Sequence, residues 1–406
     1  MPPKALNPAL SPEQRKAASR EYPPVPKVCV VTGGTGFVGT RLVEMLVERG
    51  AERVVCFDIV PMEKAVGAWK HPAIEYVVGD IANYEDVSKA IKGADCVWHL
   101  AAAVGPFHPR ELYYRVNCVG TENVIMACKT WGVHKLVMSS SPSTRFKGNL
   151  FHRPCIDGLT EAEMPELPLD AYMQMYAETK AIAEMTVTAA CSDDLLVVSV
   201  APHQVYGPRD NLFLPNMLEA AGTGKLRIFG PGTNRICFTH VDNYAHGLII
   251  AERQLFKGSP VLGKFYIVTD GNTHPEPGAY CIFWKELDKA VVGMGFPSIQ
   301  EKMHYNFWFL YVIALFAEFF GWMLGRVFKL NVFNVFVLTM HRWFRITAAE
   351  QELKYQPIIP FVDGWKDTII WFKQNWLPTF EEQDKSWFGL AKRSQQKIDI
   401  QAKKSN

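Results

Sequence analysis

Tyr176 and Lys180, four apart in the run Tyr176-Ala177-Glu178-Thr179-Lys180, fall on one face of a predicted helix. A phenol with a pKa of about 10 is a poor base at neutral pH. A neighbouring ammonium favours phenolate and lowers that pKa toward the working range, which fits Tyr176 to take a proton. Ser139-Ser140-Ser141-Pro142-Ser143 follows a short apolar run, Leu136-Val137-Met138, and offers hydroxyls that can hold a substrate oxygen in position. Singly these are weak signals. Tyr-x-x-x-Lys occurs by chance, and a lone helix tyrosine is more often a packed aromatic.

A second constellation gives the pair a purpose. Val28-Cys29-Val30-Val31 runs into Thr32-Gly33-Gly34-Thr35-Gly36-Phe37-Val38-Gly39, where Gly33, Gly36 and Gly39 have the GxxGxxG spacing of a nucleotide cradle. The first glycine makes the tight turn, the second lets backbone approach a pyrophosphate, and the third lets helix pack on strand. The helix that begins at Phe37 and Val38 turns unpaired N–H groups toward the phosphates. An amphipathic segment with Leu42, Val43 and Leu46 closes at Gly50, and Val54-Val55-Cys56-Phe57 leads to Asp58. A carboxylate there can take both hydroxyls of an adenosine ribose and would repel a 2′-phosphate, which favours NAD over NADP. A base beside such a cradle has one coherent use, the removal of hydride from a secondary alcohol. Lys180 should reach the nicotinamide ribose as well.

The elements that must position these groups alternate strand and helix, as a doubly wound parallel sheet requires. Ile74 to Val78 reads as a strand, with Gly79-Asp80-Ile81 after it and Asp80 a candidate for the adenine amino group or a plain turn residue. Cys96 to Leu100 opens onto Ala101-Ala102-Ala103, small residues against which a cofactor can lie. Glu111 to Trp131 reads as one long helix carrying Asn117, a second helix spans roughly 171 to 190, and Leu195 to Val200 is the sixth strand. Past Asn211 the alternation breaks into short segments, 226–229 and 237–241, which suggest a smaller substrate lobe. Asp242 reads as the N-cap of a helix. Phe265 to Val268 returns to the main sheet, so the lobes are interwoven. The predicted division is a loose tail over 1–26, a Rossmann-type dinucleotide domain over 27–210, a mainly substrate lobe over 211–305, a hydrophobic segment over 306–340, further lobe helices over 341–380 and a polar tail over 381–406.

Phe307 to Gly325 differs in kind, with Glu318 its only charge. It is long enough for about 30 Å of hydrocarbon. A membrane span, a hairpin with Val332 to Val337 dipping into one leaflet, and a buried helix are the three readings, with membrane association favoured. Basic residues exceed acidic ones by only two, so nothing in the charge points to nucleic acid. The nine cysteines lack paired CxxC spacing and fall mostly in predicted strands and helices, as reduced core thiols of a cytosol-facing fold would. No metal-ligand spacing stands out. The polar first 26 residues lack the apolar core of a signal peptide.

The order of parts, glycine cradle, Asp58, strand-end alanines, serine cluster and Tyr-x-x-x-Lys, resembles the extended branch of the short-chain dehydrogenases over roughly residues 27 to 376. Glu111 to Asn117, Gly120-Thr121, Tyr176 to Lys180 and Pro202-His203-Gln204-Val205-Tyr206-Gly207-Pro208-Arg209-Asp210 look like the 3β-hydroxysteroid dehydrogenase family. The nearest likeness is to sterol-4α-carboxylate 3-dehydrogenases, which decarboxylate. The resemblance implies oxidation of a 3β-hydroxyl to a ketone, with Tyr176 as base, Lys180 as its tuner, Ser141 as hydroxyl partner (Ser140 or Ser143 could substitute) and Asn117 supporting a proton relay. Asp80, Ile81, Ala101, Ala102 and Pro202 would line the cofactor, although Ala201 stands where the family commonly has arginine. The rival activity is a 3β-hydroxy-Δ5-steroid dehydrogenase/isomerase, and the rival of another class is a non-catalytic, NAD-binding membrane scaffold. The family likeness further implies an endoplasmic reticulum membrane setting, a bilayer-dissolved sterol or steroid substrate and a homodimer through the helices at 111–131 and 171–190. Lys403 and Lys404 near the end resemble a dilysine retrieval signal. Arg209 is the conjectural anchor for a substrate carboxylate.

Overall fold

In chain order the strands are β1 (Val28–Thr32), β2 (Arg53–Asp58), β3 (Ile74–Val78), β4 (Cys96–His99), β5 (Lys135–Ser139), β6 (Ile156–Leu159) and β7 (Leu196–Pro202). The remainder are β8 (Val205–Tyr206), β9 (Arg235–Ile236), β10 (Thr239–His240), β11 (Phe265–Val268), β12 (Cys281–Ile282) and β13 (Arg342–Phe344). The computed structural model describes residues 22–105, 108–149, 151–324, 328 and 330–384. The proposed dilysine signal and most of the N-terminal tail lie outside them.

Seven strands form one parallel sheet in the order β11-β7-β5-β4-β1-β2-β3. Strand order reverses between β1 and β4, and such a reversal opens a crevice at the carboxyl ends of the strands. Both faces are covered, so the strands read as nearly continuous apolar runs. Cys29 and Val31 point into the core under helices Phe37–Glu48 and Val241–Arg253, while Val30 points into the opposite core, which Val124, Cys128 and Val187 help to form. The architecture is the doubly wound parallel sheet that the strand–helix alternation implies.

A second sheet, β12-β9-β13-β6, and the pair β8–β10 build the smaller lobe. Its four strands come from residues 156 to 344, which interweaves the lobes more deeply than the sequence suggests. Segment 226–229 is not a strand; only Phe229 bridges, to Tyr305. The expected single helix from Glu111 has three parts, an α-turn Arg110–Tyr113, a π-helical stretch Tyr114–Val119 and an α-helix Gly120–Trp131. The second helix begins at Met175, because Tyr172 bridges Lys147 and Gln174 is still extended. Asp242 is not the cap expected. His240 accepts from the Asp242 N–H, while the Asp242 carboxylate pairs with Arg41.

Helix Phe307–Leu324 is the one among the described residues long and apolar enough to cross a membrane, with a mean hydropathy of 1.8. Its first half packs through Leu310 and Ala314 on the short helix Val332–Val337. Trp308, Phe309, Phe316, Phe319, Phe320 and Trp322 are exposed. A buried lobe helix is thereby excluded. Glu318 has a local use, since its carboxylate accepts the Val332 N–H at 2.9 Å and caps the second helix of the hairpin.

Candidate active site

Gly33 sits at φ +70°, a left-handed turn, and a Cβ there would stand 2.8 Å from the Ala101 nitrogen. A Cβ on Gly39 would strike the Gly33 carbonyl oxygen, so the helix can approach β1 only as glycine. These are the steric demands of a phosphate cradle, and the residues fit a dinucleotide. Phe37 and Val38 form the first helical turn after Gly36, whose carbonyl accepts Thr40 N–H at 2.9 Å. Asp58 ends β2; one of its oxygens accepts the Thr35 N–H and the other the Val60 N–H, both at 3.1 Å, so the carboxylate is oriented by the turn beside it. Asp80 accepts from Ala82 N–H and pairs with Arg115 at 3.2 Å, on the rim. Ile81 is buried against Gly120. Ala101 and Ala102 are half-buried at the end of β4, and Pro202 ends β7 beside Val268.

The serines at the end of β5 differ in their partners. The Ser139 hydroxyl pairs with Tyr244 at 2.7 Å, and Ser140 donates to Glu184 at 2.6 Å, which also receives Arg145. The Ser141 hydroxyl pairs with the Ser143 hydroxyl at 2.8 Å and lies close enough to the Tyr176 phenol to draw its pKa down. Ser141 also caps the turn Pro142–Arg145 through the Ser143 N–H. Asn117 lies in the π-helical stretch, where its amide accepts Ala103 N–H at 2.8 Å and donates to Thr179 at 3.0 Å. It ties the end of β4 to the helix carrying Tyr176 and Lys180.

The two groups shift in opposite directions. Burial pushes the Tyr176 phenol up to about 12, with the Ser141 hydrogen bond drawing it down in part, and pushes Lys180 down to about 8. The Lys180 ammonium donates to the Ser139 carbonyl at 2.6 Å. Positive charge brought beside the phenol would lower its pKa. The Lys180 shift has a measurable sign. Its folded value, about 8, lies below the ordinary 10.5, so between those pH values the unfolded chain holds a proton the folded chain does not, and stability rises with pH. The Tm of wild type relative to Lys180→Met should shift in favour of wild type from pH 7 to pH 10. A flat difference in calorimetry would mean that Lys180 titrates normally.

Sequence reasoning missed His99, buried between Thr32 at 2.8 Å and Thr121 at 3.0 Å. Thr121 donates to the Asn117 carbonyl at 2.6 Å, so its oxygen accepts from the imidazole Nε2–H, and Nδ1 accepts from Thr32. Burial pulls His99 down to about 3, a fixed neutral link between the glycine turn and Asn117. Only its place at the end of an apolar strand could have signalled it. Arg209 is not the carboxylate anchor conjectured, because Glu44 grips it at 3.1 and 3.0 Å.

A parallel sheet with a glycine cradle at its reversal point and a Tyr–Ser–Lys cluster at the same edge defines a dinucleotide-dependent oxidoreductase. A model of the 3-beta hydroxysteroid dehydrogenase/isomerase family matches residues 30–291, and the chain belongs to that family. It is 31% identical to the human sterol-4-alpha-carboxylate 3-dehydrogenase, decarboxylating, across 86% of this chain and 88% of that one. In fold it is similar to an epimerase of Methanothermobacter thermautotrophicus (TM-score 0.67, 20% identity, 91% and 97% of the two chains covered). A UDP-glucuronic acid 4-epimerase from Bacillus cereus, solved with NAD, gives TM-score 0.61 at 22% identity over 86% and 99%.

Proposed function

We propose that this enzyme oxidises the 3β-hydroxyl of a sterol or steroid to the 3-ketone with NAD, and that a 4α-carboxylate, where present, is then lost. The observation that carries the reading is the placement of Ser141 beside the Tyr176 phenol, one helical turn from Lys180, at the carboxyl edge of a sheet whose glycine turn accepts only backbone. NAD, when bound, supplies the hydride acceptor and a positive ring beside the phenol. Tyr176 as phenolate takes the hydroxyl proton as the carbon–hydrogen bond breaks, Ser141 holds the same oxygen, and Lys180 holds the ribose and the strand end. Asn117 keeps the β4 end and the Tyr176 helix in register. With a 4α-carboxylate the product is a β-keto acid, and the carbon–carboxyl bond breaks to release carbon dioxide because the new ketone stabilises the enolate. No further side chain is required for that step.

The exposed aromatic face of helix Phe307–Leu324 supports membrane association, which brings the lobe to the bilayer where sterols dissolve. An endoplasmic reticulum setting with the catalytic domain toward the cytosol follows from the same reading, with nine free cysteines in its favour. Purified enzyme incubated with NAD and a 4α-carboxysterol should form NADH, 3-ketone and carbon dioxide. Turnover of a Δ5-steroid with double-bond migration instead would favour the isomerase activity, and no NADH with either substrate would refute both.

Asp58 is the basis for NAD over NADP. Asp58→Asn keeps an oxygen for the Thr35 N–H and removes the charge that repels a 2′-phosphate. The ratio of kcat/KM for NADP over NAD should rise about tenfold or more, since one unfavourable charge contact near the surface is worth roughly 1–2 kcal/mol. An unchanged ratio in steady-state kinetics would assign cofactor choice to other residues.

A further inference from the structure

Four arginines among the described residues are buried, and three have evident partners. Arg41 meets Glu44, Glu48 and Asp242; Arg209 meets Glu44; Arg49 meets the His246 imidazole and the Tyr22 ring. Arg342, 6% exposed, makes no side-chain hydrogen bond or ion pair among the described residues, and its Nε is completely shut away. A buried unpaired guanidinium is costly; Arg49, whose Nε and Nη1 also lack partners, still meets an imidazole and a ring, whereas Arg342 has neither.

The place is as informative as the lack of a partner. Arg342 lies close enough to His203 for its charge to act on that imidazole, and Phe344 follows two residues on in β13. Phe344 stacks on Phe146 at 6.3 Å and meets the edge of His203 at 5.2 Å. Phe146 directly follows the turn that Ser141 caps, and His203 directly follows Pro202 at the end of β7. His203 donates from Nδ1 to the Cys237 carbonyl at 2.8 Å, which leaves its buried Nε2 as a second polar atom with no partner. The Arg342 charge and burial hold this imidazole neutral. A cation and an imidazole, both unsatisfied, thus face the side of the lobe that carries the serine turn and the strand end.

We propose that Arg342, with His203 beside it, is the seat for a carboxylate on the substrate, next to the carbon whose hydroxyl is oxidised. The proposal rests on the sterol reading above and adds the residue that separates carboxylated from uncharged substrates. A carboxylate there pairs with the guanidinium and removes the part of the His203 shift that comes from the Arg342 charge, and its own negative charge favours a proton on Nε2 as a second donor.

The test uses the full chain, NAD and two sterols that differ only in the 4α-carboxylate. In Arg342→Gln the ratio of kcat/KM for the acid over the uncharged sterol should fall about 30-fold or more, mainly through KM. Arg342→Lys should restore part of it. Arg342→Met should raise the Tm of the ligand-free protein, because an uncompensated charge is removed, whereas an arginine with a merely structural role would lower it. If Arg342→Gln does not fold, the wild type decides: the methyl ester of the acid should lose the same preference. Equal losses on both sterols, an unchanged ratio, or an ester as good as the acid would overturn the seat while leaving the dehydrogenase reading intact. Wild type inactive on both sterols would remove that reading and the seat with it.

Discussion

Tyr176→Phe is expected to lower kcat for sterol oxidation by about 10²–10⁴-fold, the range for loss of a positioned general base. The substitution keeps the ring and removes the phenol oxygen beside Ser141. Because that oxygen acts on the proton in flight, the loss should fall on kcat and kcat/KM together with little change in KM. The phenol sits in buried surroundings that push it up to about 12, so the ionised form is scarce at pH 7 until positive charge arrives beside it. Wild-type oxidation should therefore accelerate with rising pH, and the residual activity of the variant should lose that slope. Stopped-flow NADH formation between pH 6.5 and 9.5 measures both. A variant with wild-type kcat would remove Tyr176 from the chemistry and give the non-catalytic, dinucleotide-binding scaffold the stronger claim.

The parts of the site that depend on short-range pattern were legible. Glycine spacing reports a steric fact, and the clash a Cβ on Gly39 would make with Gly33 is what the motif encodes. Tyr176 and Lys180 share a face because helical period is local. The parts set by long-range pairing were not. Strands of two to four residues such as β9, β12 and β13 are too short to show alternation, so the second sheet was invisible. The choice among Ser139, Ser140 and Ser141 depended on Tyr244, Glu184 and Tyr176, residues 35 to 105 positions away. The balance of charge between Lys180 and Tyr176 is hidden for a related reason. The sequence shows that an ammonium is near a phenol, whereas burial of both decides which of them keeps its charge. The arginines illustrate it again: Arg209 looked available in sequence and is locked by Glu44, while Arg342 sat unnoticed in an aromatic run.

Glu44→Ala is expected to destabilise the fold by about 3–5 kcal/mol, the cost of stranding a buried charge. Glu44 is almost fully buried on helix Phe37–Glu48, where both oxygens receive Arg209 and one also receives Arg41 at 3.3 Å. Arg41 would keep Asp242 and Glu48. Arg209 would retain only the Gly67 carbonyl at 3.1 Å, in a left-handed backbone conformation at φ +72° that the ion pair helps to hold. Urea unfolding should show a lower midpoint at unchanged slope. The double variant Glu44→Ala/Arg209→Leu should recover most of the loss, since two apolar side chains in place of a buried pair are often neutral. Activity should report the same contact, because Gly67 belongs to the loop that follows Asp58. With Arg209 released, KM for NAD should rise more than KM for the sterol. An unfolding midpoint equal to wild type would mean that water reaches Arg209 when Glu44 is gone, and that the charged cluster under the cradle contributes little to its rigidity.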